Sequence, residues 1–245
     1  MSLIPPLLIL GLGLMLFVVL LMVVALRVGT NLPRVASFVS RATIVVSVLW
    51  VVGLGITLFA GGPIQVTAPI ALLPFHLPEG IELDGLRATI ASGGFDQVTV
   101  QASGLSLPTL LVVLAAAVLA SGTLIGVCLV VDRLARSLGE GDPFALSGEA
   151  LQRAAWIVLV GGTLVSMLDD VGNWLASTDL FWVTGASWSS DVTDASSLTE
   201  LGWPEPAAFS LTIPFWPLGA GMVLALLAGV FRYGRQLRRD TAGLV

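Results

Sequence analysis

Asp169 and Asp170 stand side by side within the apolar run Ala154–Leu175, so they have the first claim on chemistry. A carboxylate inside a membrane is costly and marks a functional site by default. Counted from Ala154, the pair lies about 22–24 Å along a core of about 30 Å, close to one interface. Two readings follow. The carboxylates end the span where water is within reach, or with Asn173 they form a cation or proton site at an outer mouth.

The other reactive residue types are sparse. His76, in Pro74-Phe75-His76-Leu77-Pro78, is the sole histidine, and Cys128 the sole cysteine. A zinc site needs several nitrogen or sulfur ligands, so no metal is expected. One cysteine permits no intrachain disulfide and no CxxC motif; Cys128 reads as a small core filler. A Ser-His-Asp triad would need His76 beside an activated serine, and no GxSxG elbow occurs. Leu138-Gly139-Glu140-Gly141 lacks the lysine and flanking strand of a P-loop. No convergent catalytic set and no cofactor site emerge, so an integral-membrane enzyme is the least supported reading.

These residues must be positioned by apolar helices. The 245-residue chain is 56% hydrophobic and 11% charged, with a mean hydropathy of +0.97, against about 25% charged in soluble domains. A span needs about 20 apolar residues. Five runs qualify: Leu7–Leu26, Ala42–Ala60, Leu110–Val131, Ala154–Leu175 and Ile213–Phe231. The first starts after Pro5-Pro6 and lacks the basic head and cleavage site of a signal peptide, so it reads as a retained span. The expected fold is an all-α membrane bundle of five transmembrane helices with a small external β-containing cap. Its organisation is a first span and basic linker over 1–41, spans two and three around an external loop at 61–109, and residues 132–245. That last part holds spans four and five, an external acidic loop at 176–212 and a basic tail.

Orientation follows from the arginines, which supply every basic side chain other than His76. Arg27, Arg34 and Arg41 separate spans one and two. Arg133, Arg136 and Arg153 separate spans three and four, and Arg232, Arg235, Arg238 and Arg239 follow span five. The opposite loops hold Arg87 alone against eleven acids between Glu79 and Glu205. Positive residues favour the cytoplasmic side. The expectation is a multi-pass protein of the bacterial plasma membrane with its N-terminus outside and its C-terminus in the cytoplasm.

In the first outer loop, Arg87-Ala88-Thr89-Ile90 and Gln97-Val98-Thr99-Val100 alternate around Gly93-Gly94, a hairpin signal. Ile64-Gln65-Val66-Thr67 reads as a third strand, and Phe181-Trp182-Val183-Thr184 in the second loop as another. Trp156, Trp174 and Trp216 mark span edges as an aromatic belt does, while Trp50 falls mid-span and is expected to pack against neighbours. Gly122 and Gly126 form a GxxxG that lets helices approach closely, within the bundle or at the seam of a homo-oligomer.

Two cytoplasmic segments carry motifs. Gly141-Asp142-Pro143-Phe144 precedes Ser147 and Leu151-Gln152-Arg153 at the start of span four. Pro143 stops the preceding helix, Phe144 can tuck against the membrane face, and Ser147 suits an N-cap. The tail reads Phe231-Arg232-Tyr233-Gly234-Arg235-Gln236-Leu237, then Asp240-Thr241-Ala242-Gly243-Leu244-Val245. A G-x-PF turn before a helix, paired with F-x-x-G-x-x-L and a D-x-x-G-L-V ending, resembles the bacterial membrane family catalogued as domain of unknown function 2975. The resemblance covers the half from span three to the C-terminus. It implies a helical membrane protein encoded beside a small cytoplasmic helix-turn-helix regulator. Pro143, Phe144, Phe231, Gly234, Leu237 and Asp240 would then be partner-facing, in a non-enzymatic sensor or anchor. Direct nucleic-acid binding is not expected. The basic tail also suits anionic headgroups of the bilayer. A small transporter or channel with Asp169 and Asp170 at its outer mouth is the alternative.

Overall fold

A computed structural model describes residues 32–74, 94–139, 147–185 and 202–242. Its elements are α1 (Leu32–Phe59), β1 (Ile64–Pro74), β2 (Gly94–Ala102), α2 (Leu107–Gly139), α3 (Ser147–Trp156), a π-helical turn (Ile157–Gly161), α4 (Gly162–Phe181) and α5 (Phe215–Ala242). α3, the π turn and α4 follow without a break. Four helical stretches are long and apolar enough to cross a membrane: Arg34–Phe59, Leu107–Ser137, Gly148–Phe181 and Phe215–Leu237. They match the expected spans two to five, apart from Ala60 and Ile213-Pro214 at two of the outer ends. The expected first span, Leu7–Leu26, lies outside the described residues.

The helices outlast the apolar runs that announce them. α1 begins ten residues before Ala42 and carries Arg34 and Arg41; α2 continues through Asp132 and Arg136; α5 takes in the basic tail. Helix propensity explains this, since Arg, Leu and Gln are good helix formers outside lipid.

The chain divides into two units. The first, here the sheet unit, gathers the described residues within 53–117 and 165–213. Its antiparallel pair joins β1 to β2 in the register Ile64↔Ala102, Val66↔Val100 and Ala68↔Val98, with an irregularity between Pro69 and Leu73. Alternation places Ile64, Val66, Ala68 and Ile70 on one buried face, as the period of two requires. Ile64, Val66 and Ala102 share a core with Leu58, Leu105 and Ala176, flanked by Leu54, Leu110, Val113 and Leu180. Beside β1, the Ala71 amide donates to the Glu205 carbonyl (2.8 Å) and the Ala207 amide to the Pro69 carbonyl (3.2 Å), forming a single bridge between Ile70 and Pro206.

Two sequence expectations change here, while the expected strand at Ile64 is present and gains a partner. The strand at Gln97–Val100 pairs with the Ile64 strand; Arg87–Ile90 lies outside the described residues. Gly94, expected in a turn, already opens β2. Phe181–Thr184 is not a strand, because α4 runs to Phe181 and Trp182 still donates to the Thr178 carbonyl (3.1 Å). A helix already closed by i→i−4 bonds outweighs a four-residue alternation.

The second unit, here the arginine unit, gathers the described residues within 32–52, 118–164 and 214–242. Its buried positions are mostly small, among them Ser40, Ser47, Ser121, Cys128, Ala135, Ala154, Ala155 and Ala228, with Val130, Asp132 and Pro217 the larger members. Its exposed positions are large: Phe38, Leu49, Trp156, Trp216, Met222 and Leu226. Trp50, expected to pack against neighbours, is also exposed. Such packing matches a solvent as apolar as the side chains, where close backbone approach drives association. α5 lies against α3 and the start of α4 along small residues. A Cβ on Gly221 would stand 3.0 Å from Leu159 Cβ, one on Gly162 2.9 Å from Pro217 Cβ, and one on Gly148 2.9 Å from Arg232 Cγ.

Candidate functional site

Polar chemistry concentrates in a cluster in each unit, with α2 running through both. In the sheet unit, Asp179 near the end of α4 serves the start of α2. Its Oδ2 accepts from the Ser106 amide (2.9 Å) and from Thr109 Oγ1 (2.6 Å), while the Ser106 and Thr109 hydroxyls lie 3.0 Å apart. Four N–H groups at a helix start lack intrahelical partners, and the helix dipole favours an anion there. Thr109 is fully buried, so its short bond to Asp179 closes a helix terminus and leaves no substrate access to the hydroxyl.

Asp170 does similar work one element on. Its Oδ2 accepts from the Thr212 amide at 2.7 Å, three residues before α5 begins. Asp169, its neighbour, is exposed. Among the described residues, no ion pair is formed by either carboxylate. Asn173 is half-buried a turn away. The Trp174 ring meets Phe209 edge to face at 5.2 Å, and Phe181 meets Trp203 at 6.3 Å. Ser177 donates to the Pro69 carbonyl, which also takes the Ala207 amide. Asp170 and Asp179 thus hold backbone ends.

The arginine unit holds the cluster that sequence reasoning missed. Asp132 lies just beyond the expected span three, where α2 continues as a helix, and it is buried there. It occupies the small-residue face, at i+4 from Cys128 and i−3 from Ala135, both buried. One carboxylate oxygen accepts from the Ser37 hydroxyl and lies 3.6 Å from Arg41 Nε, both on α1. The other accepts from Arg136 Nη2, one turn along α2. A buried charge survives only when paired and hydrogen-bonded, and here three donors converge on it. The Asp132–Arg136 spacing of four, continuing the stripe of small residues from Ala116, was the signal available in the sequence.

The motif-bearing residues fall in this unit or outside the described residues. Pro143 and Phe144 lie outside them; α3 opens at Ser147. Phe231, Gly234, Leu237 and Asp240 all sit on α5. Spaced by three at about 100° per residue, they wind half a turn around the helix and share no single face. Arg232 fixes one side of that helix by donating to Gln152 Oε1 on α3. On α2, Gly126 faces Ile157, whose side chain would lie 3.2 Å from an added Cβ, whereas Gly122 opens onto free space. The GxxxG thus divides into one packing position and one unfilled position. The π turn places Gly161 against the Thr123 hydroxyl, a contact that no periodicity announced.

Among the described residues, no three His, Cys, Asp or Glu side chains gather as a metal site would require. Comparison with protein-family models, curated proteins and solved structures gives no match to this chain.

Proposed function

We propose that this chain is a non-enzymatic sensor or anchor of the bacterial cytoplasmic membrane, with five spans, its N-terminus outside and its C-terminus in the cytoplasm. Its partner is a small cytoplasmic helix-turn-helix regulator, as in the family with the G-x-PF turn and the F-x-x-G-x-x-L tail. The inverted packing of the arginine unit, small residues inside and large ones outside, supports a bilayer as solvent. The arginine distribution supports the orientation.

One observation carries the regulatory part. α5 runs unbroken from the apolar Phe215 to Ala242, so the motif-bearing tail is a formed helix, docked on α3 through Arg232 and Gln152. A formed, docked helix presents a fixed surface to a protein partner at little cost in ordering entropy. Asp170, engaged by the Thr212 amide, reads as a support for the chain entering α5 rather than as an ion ligand.

The test is affinity purification of the full chain from detergent-solubilised membranes, followed by deletion of residues 232–245. Recovery of a helix-turn-helix protein that is lost with the tail, together with altered output of that regulator, is expected. Purification without such a protein, and regulator output unchanged by the deletion, would overturn the reading. Flux in proteoliposomes that falls in an Asp169→Asn/Asp170→Asn double variant would establish transport in its place.

A further inference from the structure

The exposed face of α1 changes character once along its length. Arg34, Phe38, Arg41, Val45, Leu49 and Val52 recur at intervals of three and four, which places them in a sector about 80° wide at 100° per residue. All six are exposed. The sector is cationic over its first two turns and wholly apolar from Val45 onward. From Arg41 to Val52 it rises about 16 Å, half of a core of about 30 Å. That is the profile of one leaflet, and of one lipid molecule within it.

We propose that this face of α1 binds a single anionic phospholipid, the headgroup phosphate on Arg41 and Arg34 and an acyl chain along Val45, Leu49 and Val52. The proposal rests on the bilayer reading and is independent of the regulator. Charge and shape complementarity identify the occupant: a free anion would have no use for the apolar length, and a neutral lipid none for the two guanidiniums. Arg41 Nε lies 3.6 Å from an Asp132 carboxylate oxygen, an ion pair on an exposed side chain, so the guanidinium keeps donors for a phosphate oxygen beside a buried carboxylate. Asp132 is itself fixed by Ser37 and Arg136. It acts as a positioning residue, orienting a cation that would otherwise sample many rotamers.

Native mass spectrometry of the full chain, released from a non-ionic detergent, tests this with phosphatidylglycerol and phosphatidylcholine of matched acyl chains. One phosphatidylglycerol adduct per chain is expected, with much less phosphatidylcholine. Arg41→Gln should lower the phosphatidylglycerol-bound fraction about tenfold or more, as loss of a charge-assisted bond does. Arg133→Gln, an equal charge change at an exposed arginine outside the Asp132 cluster, should lower it at most about fivefold, the general effect of surface charge. Asp132→Asn separates the two causes most sharply. It makes the protein more positive, so diffuse attraction would strengthen, whereas an oriented site weakens. Equal losses in the two arginine variants, stronger binding in Asp132→Asn, an equally abundant adduct with inorganic phosphate, or a lipid-free dimer would each overturn the proposal. Should Asp132→Asn fail to fold, the two arginine variants decide it alone.

Discussion

The sheet unit and the arginine unit differ in the side chains at their centres. In the sheet unit the core is aliphatic, with Leu58, Ile64, Val66, Ile70 and Leu105 all buried. The arginine unit hides mostly Ala, Ser and Cys, with Val130, Asp132 and Pro217 among them, and turns many Leu, Val, Phe and Trp outward. Their carboxylates differ in the same sense. Asp179 and Asp170 accept backbone amides at helix approaches, whereas Asp132 is met by guanidiniums and a hydroxyl. The difference teaches that one chain can be folded by two driving forces. Around the strands large aliphatic side chains leave water, although Ile56, Phe59, Leu107 and Leu111 of the same unit face outward; in the other unit only close contact distinguishes a neighbouring helix from lipid.

Breaking the aliphatic core should have the largest effect. Leu58→Ala should cost about 2–5 kcal/mol, as buried leucine truncations do. Amide exchange in β1 and β2 should report it, and protection left unchanged there would mean that water does not drive this core. The corresponding test of the arginine unit adds volume. Gly161→Val should cost about 1–3 kcal/mol in denaturant titration, through its collision with Thr123. Thr123→Ala on the same chain should recover part of that loss, a coupling expected only of residues in contact. Asp179→Ala should cost about 1 kcal/mol, the usual value of a lost cap at a partly exposed site. Asp179→Asn, which keeps an acceptor oxygen, should cost less, and exchange at the Ser106 amide would separate the two. Gly122→Ala, facing open space, should be the mildest, stabilising by at most about 1 kcal/mol through helix propensity. If it cost as much as Gly161→Val, a second copy of the chain would be packed there, and the arginine unit would be only half of its own core.

Hydropathy made four of the spans legible, because twenty apolar residues in a row have few other uses. It misjudged their ends for a physical reason. An apolar run measures the lipid layer, but a helix stops where its backbone bonds stop, and Arg34, Asp132 and Arg232 are all helical beyond the run. Asp132 was missed on that account: just past the apolar run, it still lies on the helix and on its buried small-residue face. The strands were visible from their alternation, yet their pairing was not, since Val66 finds Val100 across a long excursion that local pattern cannot reveal. The two glycines of the GxxxG motif look alike in sequence and differ only in whether Ile157 is opposite.

α2 has 33 residues, which at 1.5 Å each is about 50 Å of continuous helix against about 30 Å of hydrocarbon. The surplus gives this helix room to slide as membranes thicken or thin, at a fraction of a kcal/mol per ångström of mismatch. That latitude ends on one side where Asp132 would be drawn into oil, which fixes the thickest membrane in which the protein can remain upright.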